Sequence, residues 1–507
     1  MFGTSGGPCL FQSHFFVSKR YQTLLNQLPV LNEHSYRPID HNHHDNNKYM
    51  MLSPKIKTAL IEIVGADRCK DDPATIAAHS YDSYIEEASA WAIVFPKTTA
   101  EVSAIMQVAS TEKLPVTARG AGTNLSGGSI PVQGGIVLCL TKMNQIIHIA
   151  PEDRYAVVQP GVINGALQKA LAPHGYFYPP DPSSFMISTI GGNIAENAGG
   201  PRCLKYGVTI DYILGLEVVL ASGKVVKMGS PNVKDVTGYR PAGLFCGSEG
   251  TLGIVTEATL KIMPAPKAIR TAMMVYNDLN DTAKTVSQVI SQGILPAALE
   301  LMDNITINLI EDNMNLGLPR DAEGILLVDV DGSEEQVAKE IHEIGAIAKE
   351  NGANDIVIAQ NKEQAAELWQ GRRRVYGLIS QSSPTTVVED ATVPVSKVPE
   401  MIRGCRKIAD EFDLNISIVG HAGDGNLHPT ISTDINNKEE WQRVEKAVEK
   451  IFELALSMGG CLSGEHGIGL AKKSFLSMSM SKDTLEFMRL LKQSVDPDNL
   501  LNPGKFV

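Results

Sequence analysis

The sequence lacks the cysteine arrangements that hold metal clusters. Its 507 residues include seven cysteines, an odd number, and no two of them form a CxxC pair. We therefore expect neither an Fe–S cluster nor a cysteine-based zinc site. Scattered cysteines are typical of reduced thiols in a cytosolic compartment.

Long apolar runs and an excess of positive charge are also missing. No run of about 18 uninterrupted apolar residues occurs, so we predict no membrane-spanning helix. The formal net charge of −12 argues against nucleic acid as a main partner, because phosphate binding requires clustered Lys and Arg. A chain of 507 residues with 43% hydrophobic and 20% charged residues is typical of a globular protein with two or more domains.

Acidic residues are absent from the first part of the chain. Residues 1–32 contain no Asp or Glu, and their basic residues are Lys19 and Arg20. This composition leaves a transit peptide open, although two basic residues make a poor one. The histidine-rich tract at residues 40–45 can hold a metal, but a disordered tail is the favoured interpretation. We predict that residues 1–50 are a leader or a disordered tail.

Three glycine-rich runs stand out in the first half of the chain. They lie at residues 119–128, 183–200 and 246–255. Glycine tolerates φ > 0 and lets backbone N–H groups approach a ligand closely. Each run alone is typical of a surface loop, but three of them in one region predict a large phosphate-bearing cofactor.

Two of these runs carry more specific expectations. The run at residues 183–200 follows no clean helix or strand period, so we predict a poor core element whose value lies in exposed backbone. The GxG at residues 120–122 is not followed by an amphipathic helix, which argues against a Rossmann nicotinamide site. A compact loop around a pyrophosphate is the better interpretation.

A second group of chemically active residues lies near the C-terminus. A predicted strand at residues 415–419 leads into a glycine-rich loop with His421 and His428, and a later loop carries Glu465 and His466. Two imidazoles and a carboxylate with an open coordination position suit a catalytic divalent metal. A lone histidine is usually a satisfied core or loop residue, but this density favours a metal site, provided that the two loops meet.

Three consecutive arginines lie at residues 372–374. For two of them we favour a solvated face of a helix. One arginine can instead bind a substrate carboxylate through two parallel hydrogen bonds, because its planar fork matches that shape.

The region after Pro264 and Pro266 changes character. Strands and helices alternate there, as in an antiparallel sheet backed by helices. The clearest predicted helix spans residues 438–458, where apolar side chains recur on one face and two glycines follow.

Seven motifs together resemble a known family. The chain is similar to the FAD-linked 2-hydroxy-acid dehydrogenases of the vanillyl-alcohol-oxidase flavoprotein superfamily, which include the glycolate oxidase FAD subunit, D-lactate dehydrogenase and D-2-hydroxyglutarate dehydrogenase. The resemblance covers roughly residues 55–507. The motifs are PVTARGAGTNLSGG, PPDPSS, GGNIAENAGG, GSEGTLGIVTEATLKI, GHAGDGNLHP, GEHGIG and DPDNLLNPGK.

The resemblance implies an α+β fold in four parts. After the leader at residues 1–50, a PCMH-type FAD-binding domain with two subdomains would occupy residues 51–265. A ferredoxin-like cap domain with an antiparallel sheet backed by helices would occupy residues 266–462. Residues 463–507 would return to the FAD domain. No residue clearly marks a covalent flavin link, so we expect non-covalent FAD.

The resemblance also assigns roles to individual residues. Catalytic roles would fall to His466 as the base, Arg372 as the anchor of the substrate carboxylate and Asn426 as support for the substrate or the metal loop. The metal, Zn²⁺ or Mn²⁺, would bind His421, His428 and Glu465. The cofactor would contact Arg119, Gly120, Ala121, Gly122, Thr123, Asn124, Ser126, Gly127, Pro180, Asp181, Ser184, Ser188, Thr189, Gly191, Gly192, Asn193, Gly199, Glu249, Gly253, Ile254 and Asn502.

The implied activity is oxidation of a 2-hydroxy acid to the 2-oxo acid, with hydride transfer to flavin N5. Residues 388–394 are more similar to the glycolate and lactate branches than to the 2-hydroxyglutarate branch, which favours D-lactate or glycolate. A D-2-hydroxyglutarate dehydrogenase and a non-catalytic FAD-binding subunit stay open. An alkyl-glycerone-phosphate synthase is disfavoured, because the histidine-containing motifs fit the dehydrogenases better.

Several partners and locations are implied as well. Electrons would pass to an Fe–S subunit, a quinone pathway or an electron-transfer flavoprotein, and the chain would form a homodimer. The expected location is the cytoplasm, with peripheral association at the inner membrane as an alternative, or the mitochondrion if the leader is a transit peptide.

Overall fold

The computed structural model describes residues 51–240 and 242–506. The predicted leader or tail at residues 1–50 and its histidine-rich tract lie outside these residues. Within the described part, three sheets of four strands or more organise the chain. None of the described helices is long and apolar enough to span a membrane.

The first sheet is small and mostly parallel. Its strands run in the order β1-β2-β4-β3, and β4 pairs in parallel with both β2 and β3. The helix Thr99–Glu112 packs its predicted apolar face into the adjoining core, and Thr98 caps it by accepting a hydrogen bond from the Glu101 N–H. The strands are β1 (Cys69–Lys70), β2 (Ala92–Val94), β3 (Val116–Arg119) and β4 (Ile136–Cys139).

The second sheet is antiparallel and carries the predicted hairpin. Its order is β5-β6-β10-β8-β9, and Val219 pairs with Val225 where β8 turns into β9. Two short strands, β7 and β11, form a separate antiparallel ladder. In the chain, β7 precedes β8 and β11 follows β10. The strands are β5 (Ile146–Ala150), β6 (Tyr155–Val158), β7 (Tyr176–Phe177), β8 (Ile213–Val219), β9 (Val225–Gly229), β10 (Ile254–Lys261) and β11 (Met263–Pro264).

The prediction for the run at residues 183–200 was wrong in one respect. Part of this run forms the helix Ile190–Glu196, and Ile190 and Ile194 are fully buried in the core of the second sheet. The Thr189 side chain caps the helix by accepting a hydrogen bond from the Gly192 N–H. Two glycines in the first turn obscure the i, i+4 spacing of the two isoleucines, which explains the error.

The third sheet contains the eight remaining strands, all in antiparallel pairs. The order is β15-β12-β14-β13-β18-β19-β16, and β17 also pairs with β19. The four strands β12 to β15 have the order 4-1-3-2 and alternate with helices, which is the predicted ferredoxin-like arrangement. The strands are β12 (Ala268–Tyr276), β13 (Ala298–Asp303), β14 (Gly324–Gly332), β15 (Ala353–Ile358), β16 (Thr385–Val388), β17 (Ala391–Thr392), β18 (Asn415–His421) and β19 (Asn426–Thr433).

Helices cover both faces of the third sheet. One face packs against Leu279–Ser291, Glu334–Glu350, Val398–Phe412 and Lys438–Ser457. The other face packs against Asn304–Met314 and Lys362–Ser382. The other described α-helices are Pro54–Val64, Pro73–Ala78, Asn164–Leu171, Cys203–Tyr206, Ala242–Phe245, Leu476–Ser479 and Lys482–Val495.

The end of the chain packs against the first sheet. The Val116 N–H donates to the Leu500 carbonyl, and the Asn502 N–H donates to the Val116 carbonyl, each at 2.8 Å. The buried Lys492 ammonium donates to the Thr251 carbonyl at 2.8 Å. These bonds tie residues 492–502 to the glycine-rich region, whereas the domain bounds given above stay a prediction.

Candidate active site

The glycine-rich runs line one side of a large cavity. We call residues 119–128, 189–193 and 247–254 the glycine wall. The cavity has a volume of about 420 Å³, within the range of ligand pockets. An added Cβ at Gly192 would meet one protein atom, Thr189 Oγ1 at 3.2 Å. The protein therefore leaves backbone accessible at this position, as close approach of a cofactor requires.

Buried polar atoms near the glycine wall support a polar guest. Asn193 Nδ2, Asn124 Oδ1 and Ser188 Oγ are buried and have no hydrogen-bond partner among the described residues. Buried polar groups in folded proteins are normally satisfied. Buried polar atoms without partners beside this cavity fit a cofactor that carries its own hydrogen-bond donors and acceptors, such as FAD.

Most of the predicted cofactor residues line the cavity. Those that do are Arg119, Gly120, Ala121, Gly122, Thr123, Asn124, Ser184, Thr189, Gly191, Gly192, Asn193, Glu249, Gly253 and Ile254. Those placed elsewhere are Ser126, Gly127, Pro180, Asp181, Ser188, Gly199 and Asn502.

Asn502 joins two parts of the wall, and the Ser126 backbone ties the wall to the loop that follows His466. Asn502 Nδ2 donates to the carbonyls of Gly128 at 2.8 Å and Glu249 at 2.7 Å. The Ser126 carbonyl accepts a hydrogen bond from the Leu470 N–H at 2.7 Å. Asn502 was predicted to contact the cofactor, but the structure gives its side chain contacts to loop carbonyls and to Lys505, from whose Nζ its Oδ1 accepts a hydrogen bond at 2.7 Å.

Glu249 links the glycine wall to the loop that carries His466. Its carboxylate accepts hydrogen bonds from the N–H groups of Ile468 and Gly469, both at 2.7 Å. Burial raises the pKa of Glu249, and these two backbone bonds oppose the shift. The Glu249 side chain therefore joins the third glycine-rich run to the loop that follows His466, although the two segments are far apart in the sequence.

The two C-terminal loops meet, as the predicted metal site requires. We call His421, His428, Glu465 and His466 the histidine cluster. Glu465 Oε1 lies 3.1 Å from His421 Nε2 and 3.5 Å from His428 Nε2. The rings of His428 and His466 stack with centroids 5.0 Å apart. His421, His428 and Glu465 each offer a ligand atom within 4.8 Å of the others, so they can hold a metal ion.

Asp390 organises the loop behind this cluster. Its carboxylate accepts hydrogen bonds from Asn426 Nδ2 at 2.7 Å, Ser463 Oγ at 2.6 Å, and the N–H groups of Glu465 and His466 at 2.8 Å. Asn426, predicted to be catalytic, thus supports the loop and does not line the cavity.

Asp390 also belongs to a second possible ligand set, with His428 and His466, again within 4.8 Å. A carboxylate offers about four lone-pair positions. Three of the four hydrogen bonds to Asp390 converge on Oδ2 and one goes to Oδ1, so a metal on this set would compete with bonds that hold the loop. The hydrogen bond that Glu465 Oε1 shares with a histidine involves His421 Nε2, which itself belongs to the other ligand set. The set of His421, His428 and Glu465 is therefore the better metal site.

Burial and neighbouring charges shift the pKa values of His421 and His428 in opposite directions. Burial lowers the pKa of His421, but Glu300 and Glu465 outweigh it and raise that pKa well above its ordinary value. Burial, with the charges of His466 and His421, lowers the pKa of His428 to about 3. Burial raises the pKa of Glu465, but His421 outweighs it and lowers that pKa to about 2.

His466 has a different environment. Burial lowers its pKa, and the nearby Asp390 carboxylate opposes the shift. Its Nδ1 is buried and has no hydrogen-bond partner among the described residues. His466 also lines the cavity. A neutral imidazole in this position can accept a proton.

Glu300 is a buried site residue that the sequence prediction missed. It lies on β13 and is 0% exposed. Its Oε2 accepts from Arg372 Nε at 2.8 Å and forms an ion pair with Nη2 at 2.6 Å, and its Oε1 lies 2.7 Å from His421 Nδ1. The signal was a glutamate within a strand whose other residues, apart from Asp303 at its end, are apolar. Asp390 was missed too, although two adjacent acids at residues 389–390 marked the place.

The three arginines divide as predicted. They lie on the helix Lys362–Ser382, where Arg372 is 6% exposed and the next two arginines are exposed. Arg372 lines the cavity, and Glu300 engages its Nε and Nη2 but not its Nη1. Glu300 therefore holds the edge of the guanidinium that Nε and Nη2 form.

The glycine wall and the histidine cluster open onto the same cavity. Gly120 and Gly192 line it together with Arg372, His428 and His466. A guest bound against the wall would therefore face the cluster and the arginine.

A curated relative decides the family. The chain is 45% identical over 456 residues to "Glycolate oxidase subunit GlcD" of Bacillus subtilis (strain 168), which covers 90% of this chain and 97% of that protein. This chain belongs to the FAD-linked oxidase family. Models of an FAD binding domain and of the C-terminal domain of FAD linked oxidases match residues 90–229 and 265–506 of this family member.

Other comparisons agree with this assignment. This FAD-linked oxidase is 40% identical to "Glycolate oxidase subunit GlcD" of Escherichia coli (strain K12), covering 82% of this chain and 83% of that protein. It is 37% identical to "D-lactate dehydrogenase" of Anaerostipes hadrus, covering 82% and 88%. The predicted family, the FAD cofactor and the oxidoreductase class are confirmed.

The solved structures confirm the fold alone. p-Cresol methylhydroxylase with substrate bound matches with a TM-score of 0.73 at 19% identity, covering 89% of this chain and 96% of that chain. An alkyldihydroxyacetonephosphate synthase matches with a TM-score of 0.72 at 20% identity, covering 96% and 92%. The α+β fold with a PCMH-type FAD-binding region is therefore confirmed.

Proposed function

We propose that this FAD-linked oxidase oxidises a small 2-hydroxy acid, D-lactate or glycolate, to the 2-oxo acid. One observation carries the proposal: His428, Glu465 and His466 of the histidine cluster line the same cavity as Arg372 and the glycine wall. The names of the relatives, glycolate oxidase subunit and D-lactate dehydrogenase, support this class of substrate.

Each end of the substrate has a matching residue. Arg372 binds the carboxylate through the part of its guanidinium that Glu300 does not engage. His466 accepts the α-hydroxyl proton at an unpartnered ring nitrogen, since its Nδ1 has no other partner among the described residues. Asp390 fixes the loop that presents His466 through the backbone N–H of that residue.

Two bound groups, FAD and a divalent metal, would complete the chemistry. FAD, held without a covalent link against the glycine wall, supplies the hydride acceptor at N5. A divalent metal, Zn²⁺ or Mn²⁺, on His421, His428 and Glu465 supplies a Lewis acid that lowers the pKa of the α-hydroxyl.

The cavity wall near the cluster favours a short monocarboxylate. Val375, Ile379, Val388 and Val419 contribute apolar side chains to the lining. No lysine lines this cavity in the described part of the chain. A second, distal carboxylate would find no lysine partner there, and the exposed Arg373 would be its available partner near Arg372 on the lining.

The electrons then leave to a separate acceptor. The curated glycolate oxidase relatives are named as subunits, which supports a partner that receives electrons. We propose an Fe–S subunit, a quinone pathway or an electron-transfer flavoprotein for this role. The homodimer and the cellular location stay predictions.

A substrate screen tests the proposal. The FAD-loaded protein is mixed without oxygen with D-lactate, glycolate or D-2-hydroxyglutarate, and with 2-propanol as a control that lacks the carboxylate. We expect D-lactate or glycolate to bleach the flavin band and 2-propanol to leave it unchanged. Bleaching by D-2-hydroxyglutarate alone would assign that dehydrogenase instead. No bleaching by any acid would indicate a non-catalytic FAD-binding subunit and overturn the proposal.

A further inference from the structure

Glu300 lies at a junction between the two functions proposed for the site. The side chain is fully buried on β13, on the face that packs against the helix Lys362–Ser382. One carboxylate oxygen accepts a hydrogen bond from Arg372 Nε at 2.8 Å and lies 2.6 Å from Nη2 in an ion pair. The other oxygen lies 2.7 Å from His421 Nδ1. A single carboxylate therefore holds the proposed substrate anchor and a proposed metal ligand.

The contact with His421 selects which ring nitrogen faces the metal site. An ionised carboxylate is an acceptor, so His421 Nδ1 must carry the proton that it donates to Glu300. The guanidinium of Arg372 is always charged and lies 2.6 Å from Glu300 Oε2 through Nη2, so this contact favours the ionised carboxylate. His421 Nε2 then faces Glu465 Oε1 at 3.1 Å, in the metal-ligand set.

We propose that Glu300 is a positioning residue that orients His421 Nε2 toward a divalent metal and fixes the guanidinium of Arg372 toward the substrate carboxylate. The inference rests on the proposed function, whose metal and substrate it serves. An outer carboxylate behind a ligating histidine sets the ring orientation, and its loss typically weakens metal binding about 10–100-fold. Removal of the Glu300 charge should weaken metal binding and substrate binding together.

Asp303 provides a matched control on the same strand. It is also 0% exposed, and its Oδ2 accepts from Arg406 Nη2 at 2.5 Å and from the Ile418 N–H at 2.6 Å. Glu300 and Asp303 lie three residues apart, so their side chains occupy opposite faces of β13. Both residues are buried carboxylates paired with an arginine, but Glu300 contacts the metal ligand His421, whereas the hydrogen bonds of Asp303 come from Thr306, Arg406 and Ile418, which lie outside the metal-ligand set.

The test compares Glu300→Gln with Asp303→Asn in the FAD-loaded protein. Each variant is stripped of metal with a chelator, and Mn²⁺ or Zn²⁺ binding is measured by isothermal titration calorimetry. We expect Glu300→Gln to bind the metal about 10–100-fold more weakly and to show a raised KM for the substrate. Asp303→Asn should have a lower Tm and unchanged metal affinity.

A second variant covers a failure of Glu300→Gln to fold. The double variant Glu300→Gln with Arg372→Gln leaves no unpaired guanidinium in the interior, and it should show the same loss of metal affinity. Wild-type metal affinity in either foldable Glu300 variant would overturn the inference and leave the proposed function standing. A wild-type protein that binds no metal would instead contradict the proposed metal site, and this inference with it.

Discussion

The glycine wall and the histidine cluster differ in the chemical groups that they present to the cavity. The wall uses backbone and small side chains, and several of its buried polar atoms have no partner among the described residues. The cluster uses charged side chains, and it is held by a contact of 2.7 Å between His421 and Glu300 and by hydrogen bonds of 2.8 Å from the N–H groups of Glu465 and His466 to Asp390. We infer that the wall is built to accept a large guest, whereas the cluster is built to hold its own geometry.

This comparison predicts that the two regions can be disabled separately. His466→Ala should lower the rate of flavin reduction by the hydroxy acid about 10²–10⁴-fold, because the general base is lost. FAD content should stay at the wild-type level, since the wall is untouched. Stopped-flow reduction without oxygen measures the rate, and the exposed His342→Ala is the control. An undiminished rate in His466→Ala would remove the base assignment.

Loss of the Asp390 charge should affect the cluster through its support. Asp390→Asn replaces an acceptor with a donor among four inward-pointing donors, and hydrogen bonds to a charged group contribute about 1.5–3 kcal/mol each. We expect a lower free energy of unfolding and weaker metal binding, with FAD still bound. Urea unfolding and calorimetry measure these effects. An Asn variant as stable as the wild type would show that the loop does not depend on Asp390.

A single methyl group should weaken the wall without damaging the fold. Gly192→Ala places a Cβ beside the cavity, where Thr189 Oγ1 at 3.2 Å is the one protein atom within reach. Overpacking against a guest costs about 1–3 kcal/mol, so FAD affinity should fall about tenfold or more while metal affinity stays unchanged. Flavin fluorescence on titration with FAD measures the affinity. Gly345→Ala is the matched control, because no atom lies within 4 Å of its added Cβ.

The smallest effect concerns a pair that belongs to neither region. Arg68 Nη1 and Nη2 donate to the two oxygens of Glu101 at 2.7 and 2.8 Å, and this bond to Arg68 lowers the pKa of Glu101 despite partial burial. A depressed carboxyl pKa stabilises the fold above the unfolded value of about 4.5, and that stability is lost as pH falls through the folded pKa. Because the pair is partly exposed, we expect Glu101→Gln to cost at most about 1 kcal/mol at pH 7.

Thermal unfolding at pH 7 and pH 3 checks this last prediction. The difference in Tm between the wild type and Glu101→Gln should be smaller at pH 3 than at pH 7, while FAD and metal binding stay equal in both proteins at pH 7. A difference that persists or grows at pH 3 would contradict the assignment of the effect to an ionised Glu101.

The same comparison explains what the sequence could and could not predict. The glycine wall consists of local sequence motifs, so its position could be predicted. The helix Ile190–Glu196 was not predicted, because its glycines obscure the apolar spacing. The histidines and Glu465 were also found, because each lies in a distinctive loop. Their supports were not, since Glu300 is 121 residues from His421 and Asp390 is 76 residues from His466. Contacts of that range depend on strand order in the sheet, which local patterns do not encode.

Removal of the metal tests the separation of the two regions most directly. The FAD-loaded protein is treated with a chelator, and flavin reduction by D-lactate or glycolate is followed without oxygen before and after Mn²⁺ or Zn²⁺ is restored. We predict that FAD stays bound throughout, that reduction is lost with the metal, and that it returns when the metal is added. Full reduction in the metal-free protein would contradict the account.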